Sequence, residues 1–311
     1  MQKQINGPLV TVIVITYNSS SYIIETLESI KNQTYSNIEI VITDDFSTDS
    51  TVSIIKNWIE TNKKKLNVVK LVESSENTGT PENSNRGLKH AAGQWIKTTS
   101  GDDTLEIDCI EKFVNFIKNN QCDIVFSKVN QLKEGIKIKH ETNYNFFSLG
   151  PKEQFRKILS NDSYLFTPGV FLKKDLISKI DGYDTKYKII EDLPFWIKLG
   201  KNNIKFFLLD DHLVNYRINE DSISQSNLNR FINMKFYNEY KTIFKELITD
   251  ELRIRKMYLS ILNYKKYFFF TDLIILAGNK NSGITNFLKL FLVKVTFFNF
   301  KKIIKIIING K

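Results

Sequence analysis

With 311 residues, the chain has room for one large α/β domain with an appendage or for two modest domains. Its 42% hydrophobic and 25% charged residues, with 13 glycines and 5 prolines, exclude a collagen-like or largely disordered polymer. A formal net charge of +10 asks for an anionic partner, whether nucleic acid, an anionic membrane surface or a phosphorylated substrate.

Residues 9–16, LVTVIVIT, form a β-branched run of the kind buried on both faces in a parallel sheet. Serines 19–21 are expected to cap a helix whose Ile23, Ile24, Leu27 and Ile30 fall at helical spacing. A second strand is predicted over 37–45, a second helix over 47–59 and a third strand over 67–74. A helix over about 81–92 and a strand over 94–100 complete a β-α-β-α-β-α-β alternation. Such an order predicts an open, mainly parallel sheet with right-handed crossovers, which binds ligands outside the carboxyl ends of its strands. Three strand ends carry polar residues, Thr16-Tyr17-Asn18, Asp44-Asp45 and Gly101-Asp102-Asp103, and all are expected to meet in one crevice.

Farther on, a helix is predicted over 106–118, a strand over 122–132, a hairpin or loop over 133–145 and a short helix over 152–159. Long helical stretches follow at 227–247 and 251–276. The domain reading is 1–225 for the α/β part and 226–311 for a helical C-terminal region with a basic tail. Cys109 and Cys122 make neither a CxxC pair nor a Cys/His cluster, which argues against zinc and disulfides and for buried thiols in a reducing compartment. The apolar run 10–15 is too short for a signal-peptide core, so a cytoplasmic location is expected.

No GxGxxG follows the first strand and no GxxxxGK[ST] occurs, so dinucleotide and P-loop chemistry lose their sequence support. A diphosphate held without such a loop needs counter-charge, and Asp102 with Asp103 offer hard oxygen ligands for Mg²⁺ or Mn²⁺. The competing reading makes Asp103 or Thr104 the cap of a helix from Leu105. Asp45 can accept a hydrogen bond from a base or ribose, and Tyr17 at the next strand end can stack on that base. Glu191-Asp192 precede an apolar helix with Pro194 in its first turn, either as a cap or as a carboxylate able to take an acceptor's proton.

These motifs resemble the family 2 glycosyltransferases, inverting enzymes of the GT-A fold, through Tyr17-Asn18, Gln33-Thr34-Tyr35, Asp44-Asp45 and Ser47-Thr48-Asp49. The likeness continues through ENTGTPENSNRGLKHAAGQWIKTTSGDD, GYDTKYKIIEDLPFWIKL and VNYRINEDSIS, covering about the first 225 residues. It implies donor contacts from Tyr17, Asn18, Asp45, Asn77, Arg86 and Asp102, with Asp45 on uracil and Asp102 on the ribose or metal. It further implies Asp103 as principal metal ligand and Asp192 as catalytic base. This sequence departs from the pattern with Ile15 for a proline, Ser84 for an arginine that Arg86 follows two residues on, and Asn219 for a histidine near the metal. An asparagine oxygen is a weaker ligand but a legitimate one.

In the tail, residues 285–308 as a helix would align Lys294, Lys301 and Lys305 on one face of an otherwise apolar surface. That pattern suits a helix lying in an anionic membrane interface, and lysines interrupt it too often for a span. Packing on the domain or on a second copy in a homodimer is the competing reading. Nucleic acid is not expected, because no binding module accompanies the charge. The expected protein is therefore a peripheral enzyme of the inner membrane face. It would use a nucleotide sugar, a UDP-sugar first, with Mn²⁺ or Mg²⁺, to extend a glycan or lipid-linked oligosaccharide in surface polysaccharide synthesis. A non-catalytic nucleotide-sugar-binding subunit and a nucleotidyltransferase are the alternatives.

Overall fold

The computed structural model describes residues 7–63, 68–139, 144–163, 165–218, 232–280 and 282–288. Its first part follows the predicted alternation: β1 (Val10–Thr16), α1 (Ile23–Lys31), β2 (Ile38–Asp44), α2 (Thr51–Asn62), β3 (Val68–Glu73), α3 (Thr80–His90) and β4 (Trp95–Ser100). The strands pair in parallel in the order β3-β2-β1-β4, with Val12 opposite both Ile40 and Lys97. Thr16 therefore lies opposite Asp44, and Ile15 opposite Ser100, so the loops after β1, β2 and β4 leave from one edge.

The sheet continues through β5 (Thr104–Leu105), α4 (Cys109–Asn119), β6 (Ile124–Lys133) and β7 (Ile136–Lys139). After α5 (Pro151–Leu159) come β8 (Val170–Lys173), α6 (Lys174–Ser178), α7 (Asp192–Lys201) and β9 (Phe207–Arg217). Among the described residues, nine strands form one mixed sheet, β3-β2-β1-β4-β8-β6-β9-β5, with β7 hairpinned onto β6. β8 runs antiparallel to both β4 and β6, and this reversal ends the parallel half.

Burial of the β-branched runs supplies the core. Val12 and Val14 of β1 and Ile40 and Ile42 of β2 pack with Ile23, Leu27 and Ile30 of α1 and with Phe113 of α4. Phe171 of β8 stacks between Trp95 of β4 and Phe113, at centroid distances of 5.1 and 4.8 Å. Each such side chain contributes roughly 1.5–3 kcal/mol by leaving water.

Three local expectations are corrected. No serine side chain caps α1. Tyr22 is its N-cap, and the amides of Tyr22 and Ile23 donate to the Ser19 carbonyl instead. Ile24 is 43% exposed, because the buried stripe runs through Ile23, Thr26, Leu27 and Ile30. No helix starts at Leu105, since Thr104 and Leu105 pair with Asn215 and Val214 of β9, and α4 begins only at Cys109.

The chain divides into two compact units, and the first ends at Ile218. The second takes residues 152–163 together with the C-terminal helices α8 (Met234–Ile243), α9 (Thr249–Ile254) and α10 (Tyr258–Leu276). A π turn, Phe244–Ile248, links α8 to α9. Asn233 caps α8 by accepting from the amides of Lys235 and Phe236. The helix predicted from 251 to 276 breaks at Lys256, whose φ is +54°, where the Met257 amide returns to the Leu252 carbonyl. Tyr240, Tyr264, Tyr267 and Phe268 form this unit's buried aromatic centre, and the Tyr264 hydroxyl donates to the Leu159 carbonyl. The segment 219–231 and the tail 289–311 lie outside the described residues, and with them Asn219 and the lysine face.

Candidate active site

At the end of β2, Asp44 and Asp45 divide their work. Asp44 closes a turn, accepting from the Ser47 amide at 2.8 Å and from the hydroxyls of Ser47 and Thr16 at 2.6 and 2.8 Å. Asp45 is 3% exposed and points toward the start of α3. Its carboxylate accepts from the Thr78 hydroxyl at 2.6 Å and from the Gly79 amide at 2.7 Å, an arrangement the helix dipole favours. Gly79 has φ +91°, a backbone state that glycine adopts without strain.

Behind Asp45 stands Arg86 of α3, with Nη1 3.5 Å from its carboxylate. The guanidinium also donates to Asn83, Ser74 and Thr78 side chains at 2.8–3.0 Å. Arg86 thus holds the Asp45 loop from inside. Asn77 is exposed just before that loop turns into α3.

The loops after β1 and β2 are joined side chain to backbone. Asn18, at φ +49°, accepts from the Thr48 amide at 2.8 Å and donates its own amide to the Ser47 hydroxyl at 2.9 Å. Asp49 accepts from the Ser20 amide at 3.1 Å and the Thr51 hydroxyl at 2.5 Å. Burial alone would raise its pKa, but the hydrogen bonds from Thr51 and Ser20 win and pull it down to about 2. Beside this rigid pair of loops, Tyr17 and Phe46 are 49% and 50% exposed, two aromatic faces at adjacent strand ends.

At the end of β4, Gly101 is required by close approach. A Cβ there would come within 2.8 Å of Ser19 Oγ and 2.9 Å of Thr16 Cγ2. The chain then turns so that Asp103 is buried at 2% exposure while Asp102 is partly exposed. Asp103 Oδ1 accepts from the Arg217 amide at 2.9 Å, and its carbonyl accepts from the Thr26 hydroxyl at 2.8 Å. Burial first, and the neighbouring Asp102 second, push its pKa up to about 8. Arg217 Nε donates to the Asp102 carbonyl at 2.9 Å, while its guanidinium pairs with Glu25 and lies 4.4 Å over the Tyr22 ring. Asp103 is thus the more buried of the pair and Asp102 the more exposed.

Asp192 is the first residue of α7 and half-buried. Its Oδ2 accepts from the Thr167 hydroxyl at 3.1 Å. Thr167 opens a 3-10 turn, Thr167–Gly169, that leads into β8. Tyr183, stacked on Phe195 at 4.4 Å, has its pKa raised by burial and then by Glu191 and Asp192, so its hydroxyl stays protonated.

The structure thus gathers Tyr17, Asn18, Asp45 and Arg86 around the β1 and β2 ends, with Asp102 and Asp103 at the next strand. Asp192 belongs to a separate helix reached through β8. Sequence reading missed Phe46, Arg217, Thr167 and the fully buried Lys97. Only Lys97 left a signal, as a lone cation inside a run of strand-forming residues.

Residues 11–180 match the model of glycosyl transferase family 2. The chain belongs to that family, a class of enzymes, and its sheet and helices are of the GT-A type. It is 30% identical over 210 residues to the poly(ribitol-phosphate) beta-glucosyltransferase of Bacillus spizizenii, an alignment covering 59% of this chain and 32% of that protein. TarS of S. aureus, solved in complex with UDP-GlcNAc, superposes with a TM-score of 0.61 at 25% identity, over 77% of this chain and 66% of that one. The mannosyltransferase PcManGT from Pyrobaculum calidifontis, solved with GDP-Man and Mn²⁺, has a TM-score of 0.61 at 17% identity, over 96% and 84% of the two chains. The chain spans about a third of the first of these proteins and about two thirds of the second.

Proposed function

We propose that this protein transfers a sugar, with inversion, from a nucleotide-sugar donor to a glycan or lipid-linked oligosaccharide in surface polysaccharide synthesis. A UDP-sugar is the favoured donor, a reading supported by the UDP-GlcNAc complex of TarS and by the wall-polymer relative. The observation that carries the proposal is the edge itself, where two exposed aromatic rings, the Asp45 loop and the partly exposed Asp102 follow adjacent strands.

In this reading Tyr17 stacks on the base, and Asp45, set by Thr78, Gly79 and Arg86, accepts from the base. Asn18 and Asn77 flank the donor. The hard oxygens of Asp102 suit Mn²⁺ or Mg²⁺, and the Mn²⁺ complex of PcManGT is in keeping with such an ion. Asp103 braces the turn through Arg217, and Asn219 is proposed as a further oxygen ligand. A bound divalent ion would neutralise the charge that grows on the nucleoside diphosphate as its bond to the anomeric carbon breaks. Asp192 takes the proton of the acceptor hydroxyl as its oxygen attacks the anomeric carbon, and a single displacement by one base yields inversion.

The test is thermal-shift screening against UDP-, GDP- and TDP-sugars with and without Mn²⁺, followed by assay of UDP release. Stabilisation by a UDP-sugar that requires Mn²⁺ and disappears in Asp102→Ala is expected, with turnover in that variant down about 10²–10³-fold. Mn²⁺-dependent stabilisation persisting in Asp102→Ala but absent in Asp103→Ala would restore Asp103 as the ligand. Donor binding without turnover of any sugar would favour a non-catalytic subunit. Peripheral attachment through the lysines of 285–308 is part of the same proposal. Among the described residues, no helix is long and apolar enough to cross a membrane.

A further inference from the structure

Lys97 is wholly buried in β4, between Val12 of β1 and Phe171 of β8. A buried ammonium is costly unless its protons are satisfied, and an apolar residue of similar volume would pack in such a strand at less cost. Here Nζ donates to two carbonyls, that of Thr98 at 2.5 Å and that of Pro168 at 2.7 Å. Pro168 is the middle of the 3-10 turn that begins with Thr167.

The same turn is held from its other side. Gly169 approaches β6 so closely that a Cβ would sit 2.5 Å from the Ser127 carbonyl oxygen. Clamped between β4 and β6, the turn presents the Thr167 hydroxyl to Asp192 Oδ2 at 3.1 Å. A carboxylate that must meet a hydroxyl proton in one geometry gains from a hydrogen bond to a group whose backbone is anchored on two strands.

We propose that Lys97 and Thr167 are positioning residues for the transfer. The Lys97 ammonium pins the 167–169 turn to the strand that leads to Asp102, and Thr167 fixes the Asp192 carboxylate from that turn. The donor end of β4 and the proton acceptor on α7 are thereby tied through one buried cation. This inference rests on Asp192 being the base.

The experiment measures UDP release from UDP-GlcNAc with Mn²⁺ and, by calorimetry, the affinity for UDP, on the full chain. In Thr167→Val, kcat should fall about tenfold, the scale of one hydrogen bond to a charged group, with UDP affinity unchanged, and Thr167→Ser should restore most of the loss. Lys97→Met should show the same split, and the double variant should lose no more than the larger single one. Losses that multiply, UDP affinity that falls in step with kcat, or wild-type turnover in Thr167→Val would overturn the proposal. Should Lys97→Met not fold, the valine and serine variants of Thr167 still decide. Wild-type turnover in Asp192→Asn would instead refute the base assignment, so the two failures are distinguishable.

Discussion

In the half of the sheet made by β3, β2, β1 and β4, the strands are parallel to one another, and the polar loops lock onto one another across 29 to 34 residues of sequence. In the half made by β8, β6, β9 and β5, the joins are distant, as where Asn215 Nδ2 donates to Thr104 Oγ1 across 111 residues of sequence. On the side proposed to bind the donor, Asp44, Asp49, Asn18 and Arg86 are all engaged by hydrogen bonds within the loops. On the other side, Asp192 accepts from the Thr167 hydroxyl 25 residues away, and the turn that carries Thr167 is reached by Lys97 across 71 residues and packs on Ser127. The residues proposed to bind the donor and the residue proposed to take the proton thus lie on different elements of one unit.

The largest effect that separates the halves is expected from Asp192→Asn. It should lower kcat by about 10²–10⁴-fold while calorimetry finds UDP binding intact. An equal loss of both would dissolve the distinction.

Arg86→Met probes the opposite side. It strips Asp45 of its buried partner and frees the Ser74 and Thr78 hydroxyls. A loss of ~1–3 kcal/mol in stability is expected, together with weaker UDP binding and a largely preserved kcat. Chemical denaturation and titration with UDP would check both.

The smallest effect concerns the far end of the parallel half. There the carboxylate of Glu39 accepts from Lys70 and Thr11 side chains, both at 2.6 Å, and from the Ala92 amide at 2.7 Å. Burial alone would raise its pKa, but those partners prevail and hold it below the ordinary glutamate value. A depressed carboxylate pKa stabilises the fold above the unfolded-state pKa, and the contribution is lost as pH falls through the folded value. Glu39→Gln should therefore unfold more readily than the wild type at neutral pH, with the gap closing as the solution is acidified through that window, and with UDP affinity unchanged throughout. Denaturant midpoints measured across that range would reveal a gap that failed to close.

Much of the first half was legible because its signals are local. β-branched runs, turn residues and amphipathic helices gave β1 to β4 to within a residue or two. The strand-end residues Tyr17, Asp45 and Asp102 were readable because a parallel sheet with regular crossovers brings consecutive carboxyl ends to one edge. Thr104 and Leu105 were not readable as a strand, since two residues carry no period and their partner comes more than a hundred positions later. For the same reason the role of Arg217 behind Asp103 left no trace in spacing, while the Thr167 contact with Asp192, 25 residues apart, depends on how the turn at Thr167 packs.

By itself, then, the amino-acid order determined the alternation of elements, the edge at which polar residues collect and the family to which the chain belongs, because these depend on neighbours in sequence. Only the tertiary structure decided which of two adjacent aspartates is buried, since Asp102 and Asp103 are chemically identical and differ solely in what packs over them. It also decided that Arg86 serves Asp45 from within, and that a lysine inside a strand reaches a distant turn. Burial and long-range hydrogen bonds are properties of the folded chain, and no local pattern encodes them.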